Sequence, residues 1–372
     1  MTQRVRPLIV AGNGIRLAGE VERFAAFVQA RGIPFVTTWT GADLMPTDEL
    51  LNIGILGMSG QAGANRAVQE CDYLLALGTH LAIPHTSTLT DKFAPNAIID
   101  VVNIDADQLK HMNVRVDESR HMTLREYFDD PPSLPKPSRA WLDRCTHYKA
   151  LCAVGEPYTL NGINSYAFNQ IMTRMLPAGT CMVIDGGGTA LYTGFQSSHV
   201  KAGSRLICST AMSAMGSGLP EAVGACFANG KMLTSCLIGD GSLMLNVQEL
   251  QTIRHHDLPI KVFVLNNRGY LAIRDTQDSF LGKRHNGVGG ADDPSLSFPE
   301  VARIAAAFKI PFYRVTKRAG AEEVIGMILD QGGPTICEVQ CPQDQKMRWR
   351  QGFAEVDGKM VPQTLDNMVE SP

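Results

Sequence analysis

Residues 239–270, GDGSLMLNVQELQTIRHHDLPIKVFVLNNRGY, constrain the fold of this chain more than any other stretch. They open on an acid between two glycines, Gly239-Asp240-Gly241, followed by Ser242, and end near paired amides, Asn266 and Asn267. The apolar run 232–238 leads into the glycines, and 260–265 leads into the asparagines. Both read as buried parallel strands, because a largely apolar run suits a sheet covered on both faces. Between them 246–255 reads as a helix, with Asn246 as N-cap and Glu249 three residues later as in a capping box. The polar ends of this strand–turn–helix–strand unit then fall at the carboxyl ends of parallel strands, where open α/β sheets bind ligands.

Asp240 and Asn267 offer one carboxylate and one amide oxygen, hard ligands suited to Mg²⁺. Such an ion takes its other oxygens from water and phosphates. Gly241 and Ser242 present backbone N–H groups and a hydroxyl to a phosphate near a helix start. The stretch reads as a Mg²⁺-diphosphate site in preference to an ordinary βαβ unit with a polar turn.

At this spacing the stretch resembles the thiamine-diphosphate motif of the acetolactate synthase, pyruvate oxidase and 2-oxoacid decarboxylase group, above all its acetolactate-synthase-like branch. The resemblance implies that Asp240 and Asn267 bind Mg²⁺, with the backbone carbonyl of Gly269 as third ligand. It places Gly239, Gly241, Ser242 and Tyr270 in the same cofactor site.

Two further segments carry the resemblance. Residues 180–184 read as a strand running into Asp185-Gly186-Gly187-Gly188-Thr189. Three glycines between a strand and a helix let backbone N–H groups approach an anion, although such a loop taken alone is also an ordinary turn. Residues 209–228, STAMSAMGSGLPEAVGACFA, are rich in small residues, and Pro220 suits the first turn of a closely packed helix. By resemblance Gly187, Gly188 and Thr189 contact the diphosphate, and the Ser213 carbonyl accepts from the cofactor's amino group. Met215 wedges the cofactor into its bent pose, and Ile273 faces its thiazolium ring. A lone methionine is normally a core filler, but an unbranched, polarizable side chain also suits such a wedge.

Residues 271–293, LAIRDTQDSFLGKRHNGVGGADD, show no sustained periodicity and read as a loop near the site, a candidate lid. Thr276 stands where acetolactate synthases that favour larger acceptor oxoacids carry tryptophan. Arg274, Lys283, Arg284 and His285 are candidate carboxylate binders, with solvated surface charge the simpler reading of each.

A chain of 372 residues suggests two domains. In the first third, 8–11, 35–38, 73–77 and 98–105 read as strands, and 20–31 and 64–71 as helices. This alternation implies a parallel, doubly wound sheet. Gly12-Asn13-Gly14 lacks the third glycine of the dinucleotide fingerprint. Residues 50–81, LLNIGILGMSGQAGANRAVQECDYLLALGTHL, resemble the central domain of the same family. Relatives that hold FAD place an arginine soon after the LG turn. Here the turn reads Gly78-Thr79-His80, which argues against FAD and for a structural domain. Residues 129–138, DDPPSLPKPS, mark a linker, and 139–151 read as a crossover helix. The expected fold is α/β, with two doubly wound parallel-sheet domains. A central domain spans 1–128, linker and crossover helix 129–159, a diphosphate- and Mg²⁺-binding domain 160–345, and a tail 346–372.

With a charged fraction of 19% and a net charge of −3, no basic patch points to nucleic acid or an anionic membrane. No apolar run suits a signal peptide core or a membrane span, so the expected location is cytoplasmic. Nine cysteines without a C-x-x-C pair read as buried reduced thiols. Members of the family normally carry a pyrimidine-binding domain whose glutamate bonds the cofactor's ring nitrogen, and no segment here matches it. The resemblance therefore implies a separate pyrimidine-domain partner and a hetero-oligomer built on a dimer. The implied reaction is a carboligation in which a 2-oxoacid such as pyruvate is decarboxylated and its carbanion equivalent passes to an acceptor. A simple 2-oxoacid decarboxylase subunit and a non-catalytic family member are the alternatives.

Overall fold

The computed structural model describes residues 4–153, 162–343 and 345–370. Among them, 4–153 and 348–370 form one compact unit, and the intervening residues form a second. The expected start of the second domain at Leu160 lies outside the described residues.

The first unit is built on six parallel strands: β1 (Pro7–Ala11), β2 (Phe35–Thr37), β3 (Asn52–Ile55), β4 (Tyr73–Leu77), β5 (Ile98–Asn103) and β6 (Glu118–His121). Their order is β3-β2-β1-β4-β5-β6. The central strands β1 and β4 are buried at every position, as unbroken apolar runs require. Successive side chains point to opposite faces. Leu8 and Val10 accordingly join one apolar cluster, while Ile9 and Ala11 join another. Edge strand β6 reads Glu-Ser-Arg-His and is largely exposed, so it carries no apolar signal to announce it.

The helix Arg139–Leu151 has the bounds that its pattern predicts, with Ser138 as its side-chain cap. Its Trp141 indole donates to the Pro7 carbonyl at 2.8 Å. It packs against the helix Ala62–Glu70 at Gly63, where a Cβ would overlap the Tyr148 carbonyl. The C-terminal residues form two small antiparallel pairs, β13 (Trp349–Gln351) with β16 (Met368–Glu370) and β14 (Phe353–Val356) with β15 (Lys359–Pro362). Leu365 from this segment is buried in the core of the first unit.

The second unit has its own parallel sheet of β7 (Cys181–Ile184), β8 (Arg205–Ile207), β9 (Thr234–Gly239), β10 (Ile260–Asn266), β11 (Phe312–Val315) and β12 (Thr335–Gln340). The order is β11-β12-β10-β9-β7-β8. Two parallel, helix-covered sheets make this an α/β fold with a doubly wound sheet in each unit. All nine cysteines are free, with Cys208 and Cys341 half-buried and the others buried. No helix among the described residues is long and apolar enough to cross a membrane.

Two sequence expectations fail here. Residues 246–255 do not form one helix capped by Asn246. A short 3₁₀ turn, Met244–Asn246, is followed by the helix Glu249–His255, which has no side-chain cap. The Asn246 amide instead donates to the Gly216 carbonyl at 3.0 Å. Nor is 271–293 all loop. Its first part is the helix Leu271–Phe280, which buries Leu271, Arg274 and Asp275. Its buried face includes charged residues, so apolar periodicity does not reveal it.

Two glycine substitutions should act in opposite directions. Gly63→Ala should lower the melting temperature markedly, since overpacking a tight contact costs about 1–3 kcal/mol or more. Gly224→Ala meets nothing within 4 Å on the helix Gly218–Ala228 and should stabilise by about 0.5–1 kcal/mol. Thermal melts of the two variants check both.

Candidate cofactor and metal site

Strands β7 and β9 are adjacent and parallel, pairing Ile184 with Leu237. From β7 the chain winds outward to the edge strand β8, and from β9 it winds the other way to β10. The carboxyl ends of β7 and β9 thus flank a topological switch point, where a doubly wound sheet leaves room for a ligand. Two glycine turns open there. After β7, Gly187 precedes the helix Gly188–Ser197. After β9, Gly239 precedes the short helix Asp240–Leu243. The first N–H groups of a helix have no intrahelical acceptor and carry the positive end of its dipole. The glycines are required sterically. A Cβ at Gly187 would overlap the Ser242 hydroxyl, and one at Gly241 would overlap the Tyr270 ring.

One cleft gathers Gly187, Gly188, Thr189, Met215, Gly239, Asp240, Gly241, Ser242, Gly269, Tyr270 and Ile273, together with Leu271 and Ala272. Ser213 and Asn267 are not on its wall. Asn267 borders a second, larger cleft of about 1320 Å³. Ser213 is held in the left-handed region at φ 46°, two residues before Met215. Non-glycine residues rarely adopt that conformation, and such strain concentrates at functional sites.

The candidate metal ligands come from the ends of β9 and β10. Asp240 is 5% exposed and Asn267 is 4% exposed. Asp240 Oδ1 accepts from the Gly241 N–H at 2.7 Å. Asp240 Oδ2 and Asn267 Oδ1 are buried without a hydrogen-bond partner. Leaving such an atom unmet costs about 1–3 kcal/mol, and each is a hard oxygen of the kind a cation such as Mg²⁺ takes. Among the described residues no group of three His, Cys, Asp or Glu could hold a metal. An ion here must complete its shell from backbone, water or phosphate oxygens, which is how Mg²⁺ is usually held. Burial pushes the Asp240 carboxyl up to about 7, against the opposing effect of the Gly241, Arg268 and Gly269 N–H groups. Gly269 sits so close to Val288 that a Cβ would overlap its carbonyl.

Sequence reasoning passed over Asp185. Its carboxylate is fully buried and accepts from the N–H groups of Gly187 at 2.8 Å, Gly216 at 2.7 Å and Gly218 at 3.2 Å. An acid at a strand end directly before three glycines was the available signal. Arg274 departs from its simpler reading as solvated charge. It is 9% exposed and donates to Asp292 at 2.8 Å and to the Gly289 carbonyl. Lys283 and Arg284 are exposed. His285 lies between two carboxylates, bonded to Asp278 and Asp292. Thr276 is exposed and donates to the Ala272 carbonyl within its own helix.

Fold and site together define an α/β protein with a cradle of two glycine turns and buried, unpartnered oxygens at a sheet switch point. Comparison with known proteins gives that class a family. The central domain of thiamine pyrophosphate enzymes matches residues 1–123, and the C-terminal TPP binding domain of the same enzymes matches 186–339. The chain belongs to the thiamine pyrophosphate enzyme family. It is 30% identical to acetolactate synthase 2, chloroplastic, of Zea mays over 351 residues, covering 91% of this chain and 54% of that protein. It is 28% identical to the acetolactate synthase isozyme 2 large subunit of Escherichia coli, covering 90% of this chain and 59% of that protein. With acetolactate synthase, chloroplastic, of Arabidopsis thaliana the identity is 29%, over 93% and 52%. The chain thus spans little more than half the length of these relatives.

The Asp240 carboxyl gives a signed prediction. Its folded value near 7 lies above the ordinary aspartate value of about 3.9. A raised folded value stabilises the protein below the unfolded value, and that stability is lost as pH rises through about 7. Without metal, the melting temperature should therefore fall between about pH 5 and about pH 8, and Asp240→Asn should flatten the fall. Calorimetry in chelator checks this, and saturating Mg²⁺ should oppose the fall by favouring the ionised carboxylate.

Proposed function

We propose that the second unit binds thiamine diphosphate through a Mg²⁺ ion held by Asp240, Asn267 and the Gly269 carbonyl. The observation that carries this reading is the pair of buried, unpartnered oxygens, Asp240 Oδ2 and Asn267 Oδ1, beside two glycine turns that open at helix starts. In this reading Gly187, Gly188, Thr189 and Ser242 hold diphosphate oxygens. Met215 and Ile273 form apolar walls that keep water from the reacting carbon, and the Ser213 carbonyl orients the amino group. The bound cofactor supplies the electron sink that a 2-oxoacid needs to lose carbon dioxide. The chain's part is to bind, orient and desolvate.

The activity we propose is acetolactate-synthase-like carboligation, with pyruvate as donor. Asp240 is the sole carboxylate among the described residues lining the cradle, and it would be committed to the cation. The glutamate that activates the cofactor is therefore proposed to reach the site from a pyrimidine domain on a separate partner chain, in a hetero-oligomer built on a dimer. Exposed apolar side chains support a covering partner: Ile273 on the cleft wall, Leu245 beside Gly216, and Met212 three residues before Met215. The central domain is proposed to be structural. Its turns after β1 and β4 pack on each other, with the Gly14 N–H donating to the Gly78 carbonyl at 2.9 Å.

Titration calorimetry tests the cofactor. Thiamine diphosphate should bind only with Mg²⁺, and Asp240→Ala or Asn267→Ala should weaken it at least about tenfold, a loss of about 1.4 kcal/mol. Tight Mg²⁺-independent binding, or none, would refute the site. For the reaction, the chain with cofactor should turn over pyruvate only when a pyrimidine-domain chain is added, and should yield acetolactate or another ketol. Turnover by the chain alone rules out the partner, and free aldehyde as sole product points to a simple decarboxylase.

A further inference from the structure

We propose that His285, held as an imidazolium between two carboxylates, is a positioning residue: it latches residues 281–293 onto the helix Leu271–Phe280 and thereby fixes the Gly269–Tyr270 wall of the cleft. The second half of this inference rests on the cofactor reading above, and the first half does not.

The ring of His285 is bonded at both nitrogens. Nε2 lies 2.7 Å from Asp278 Oδ1 on the helix, and Nδ1 lies 2.5 Å from Asp292 Oδ2 on the following segment. Both carboxylates also accept from cations: Asp278 from Lys346 at 2.5 Å, and Asp292 from Arg274 at 2.8 Å. Against the opposing effect of burial, Lys346 and His285 hold Asp278 below the usual carboxylate range, and chiefly Arg274 does the same for Asp292. An ionised carboxylate only accepts, so both ring nitrogens must donate, and only the imidazolium does that.

The other charges facing the ring come from the same three elements. On the helix, Arg274 Nη1 lies 3.2 Å from Nδ1 and works against the positive ring, and Asp275 lies 3.7 Å from Lys346. On the segment, Lys283 and Arg284 are exposed, and Asp293 turns away to accept from the Val288 N–H. The bonds from Asp278 and then Asp292 outweigh desolvation and Arg274, and raise the His285 pKa above its ordinary value.

The latched segment is glycine-rich, and besides His285 it is tied to the helix by Gln277, which bonds the Asn286 N–H and carbonyl. Gly282, Gly287, Gly289 and Gly290 all take positive φ, from 59° to 98°. Glycine adopts such conformations freely and gives them up as freely. Its contact with the cleft is direct. The buried Val288 accepts the Tyr270 N–H at 2.9 Å, and its carbonyl fills the space beside Gly269. Gly269 and Tyr270 in turn line the cleft. A group whose pKa is raised on folding contributes stability that is complete below its unfolded value, about 6.5 for histidine, and is lost as pH rises through the folded value. The latch is therefore closed in mild acid and opens toward alkaline pH, the opposite sense to the ionisation of Asp240.

Hydrogen exchange of peptides covering 281–293, corrected for intrinsic rates, reads the latch without cofactor. Wild-type protection should fall about tenfold or more between about pH 7 and about pH 9.5 as the bond opens. His285→Gln should show low protection at both pH values. Asp292→Asn should move the opening to lower pH, which a merely structural role of the segment would not do. At about pH 7, where the wild-type latch is closed, His285→Gln should also weaken thiamine diphosphate binding with Mg²⁺ about threefold to tenfold, and the difference should shrink toward about pH 9.5. Wild-type protection and pH dependence in His285→Gln would overturn the latch. If the latch behaves as expected but thiamine diphosphate affinity is unchanged in the variant, its role in positioning the wall is overturned. If the wild type binds no thiamine diphosphate, the cofactor reading fails instead, and the exchange data still decide the latch.

Discussion

The cradle depends on one buried charge. Asp185 stands at the end of β7 with no exposure to solvent, and three backbone N–H groups from two different loops converge on it. The Ser242 hydroxyl, from the turn after β9, is a further donor. Burial raises the pKa of this carboxyl, and the four donors oppose that shift. A carboxylate without those bonds would be costly to bury. The loops without the carboxylate would leave their N–H groups unmet, so each side holds the other in place. Asn246 adds a second tie by donating to the Gly216 carbonyl. The glycine turn after β7, the Met215 segment and the turn after β9 are thereby locked into one frame before any ligand arrives.

Both units use the same architecture and reach different ends at their switch points. In the first unit the turns after β1 and β4 close on each other, and a Cβ at Gly12 or Gly14 would meet the Gly78 backbone. There the N–H groups of Gly12 and Gly14 are taken by the carbonyls of Leu77 and Gly78. In the second unit the corresponding turns meet at Gly187 and the Ser242 hydroxyl, with Asp185 bonded to both and Asp240 Oδ2 left unbonded. Chain winding alone does not make a binding site. What distinguishes the two crevices is that glycine backbone fills the first, whereas the second carries a buried carboxylate oxygen without a partner.

Much of this was legible in order of residues. The runs of β1, β4 and β7 are apolar throughout, and those of β9 and β10 largely so, because both faces of a parallel sheet are covered, so their pattern survives in one dimension. The helices Arg139–Leu151 and Ser165–Met175 begin at side-chain caps, Ser138 and Asn164, that act over two or three residues. Where the controlling contact is distant, local reasoning fails. Asn246 has the chemistry of a cap, but its amide is taken by a carbonyl thirty positions away. The helix Leu271–Phe280 buries Arg274 and Asp275, which become tolerable inside only through partners such as Asp292 and Lys346. Edge strand β6 is polar because three of its four residues face water.

The sequence by itself determined the alternation of strands and helices, the two glycine turns and the places of Asp240 and Asn267 at strand ends, because each rests on residue types within or just beyond one element. Only the tertiary structure decided which polar atoms in those turns are already bonded. Asp185 is consumed in holding the frame, Asp240 Oδ2 and Asn267 Oδ1 are left over, and His285 is drawn between two carboxylates on different elements. Hydrogen-bond satisfaction depends on neighbours brought together through space, and spacing along the chain carries no record of it.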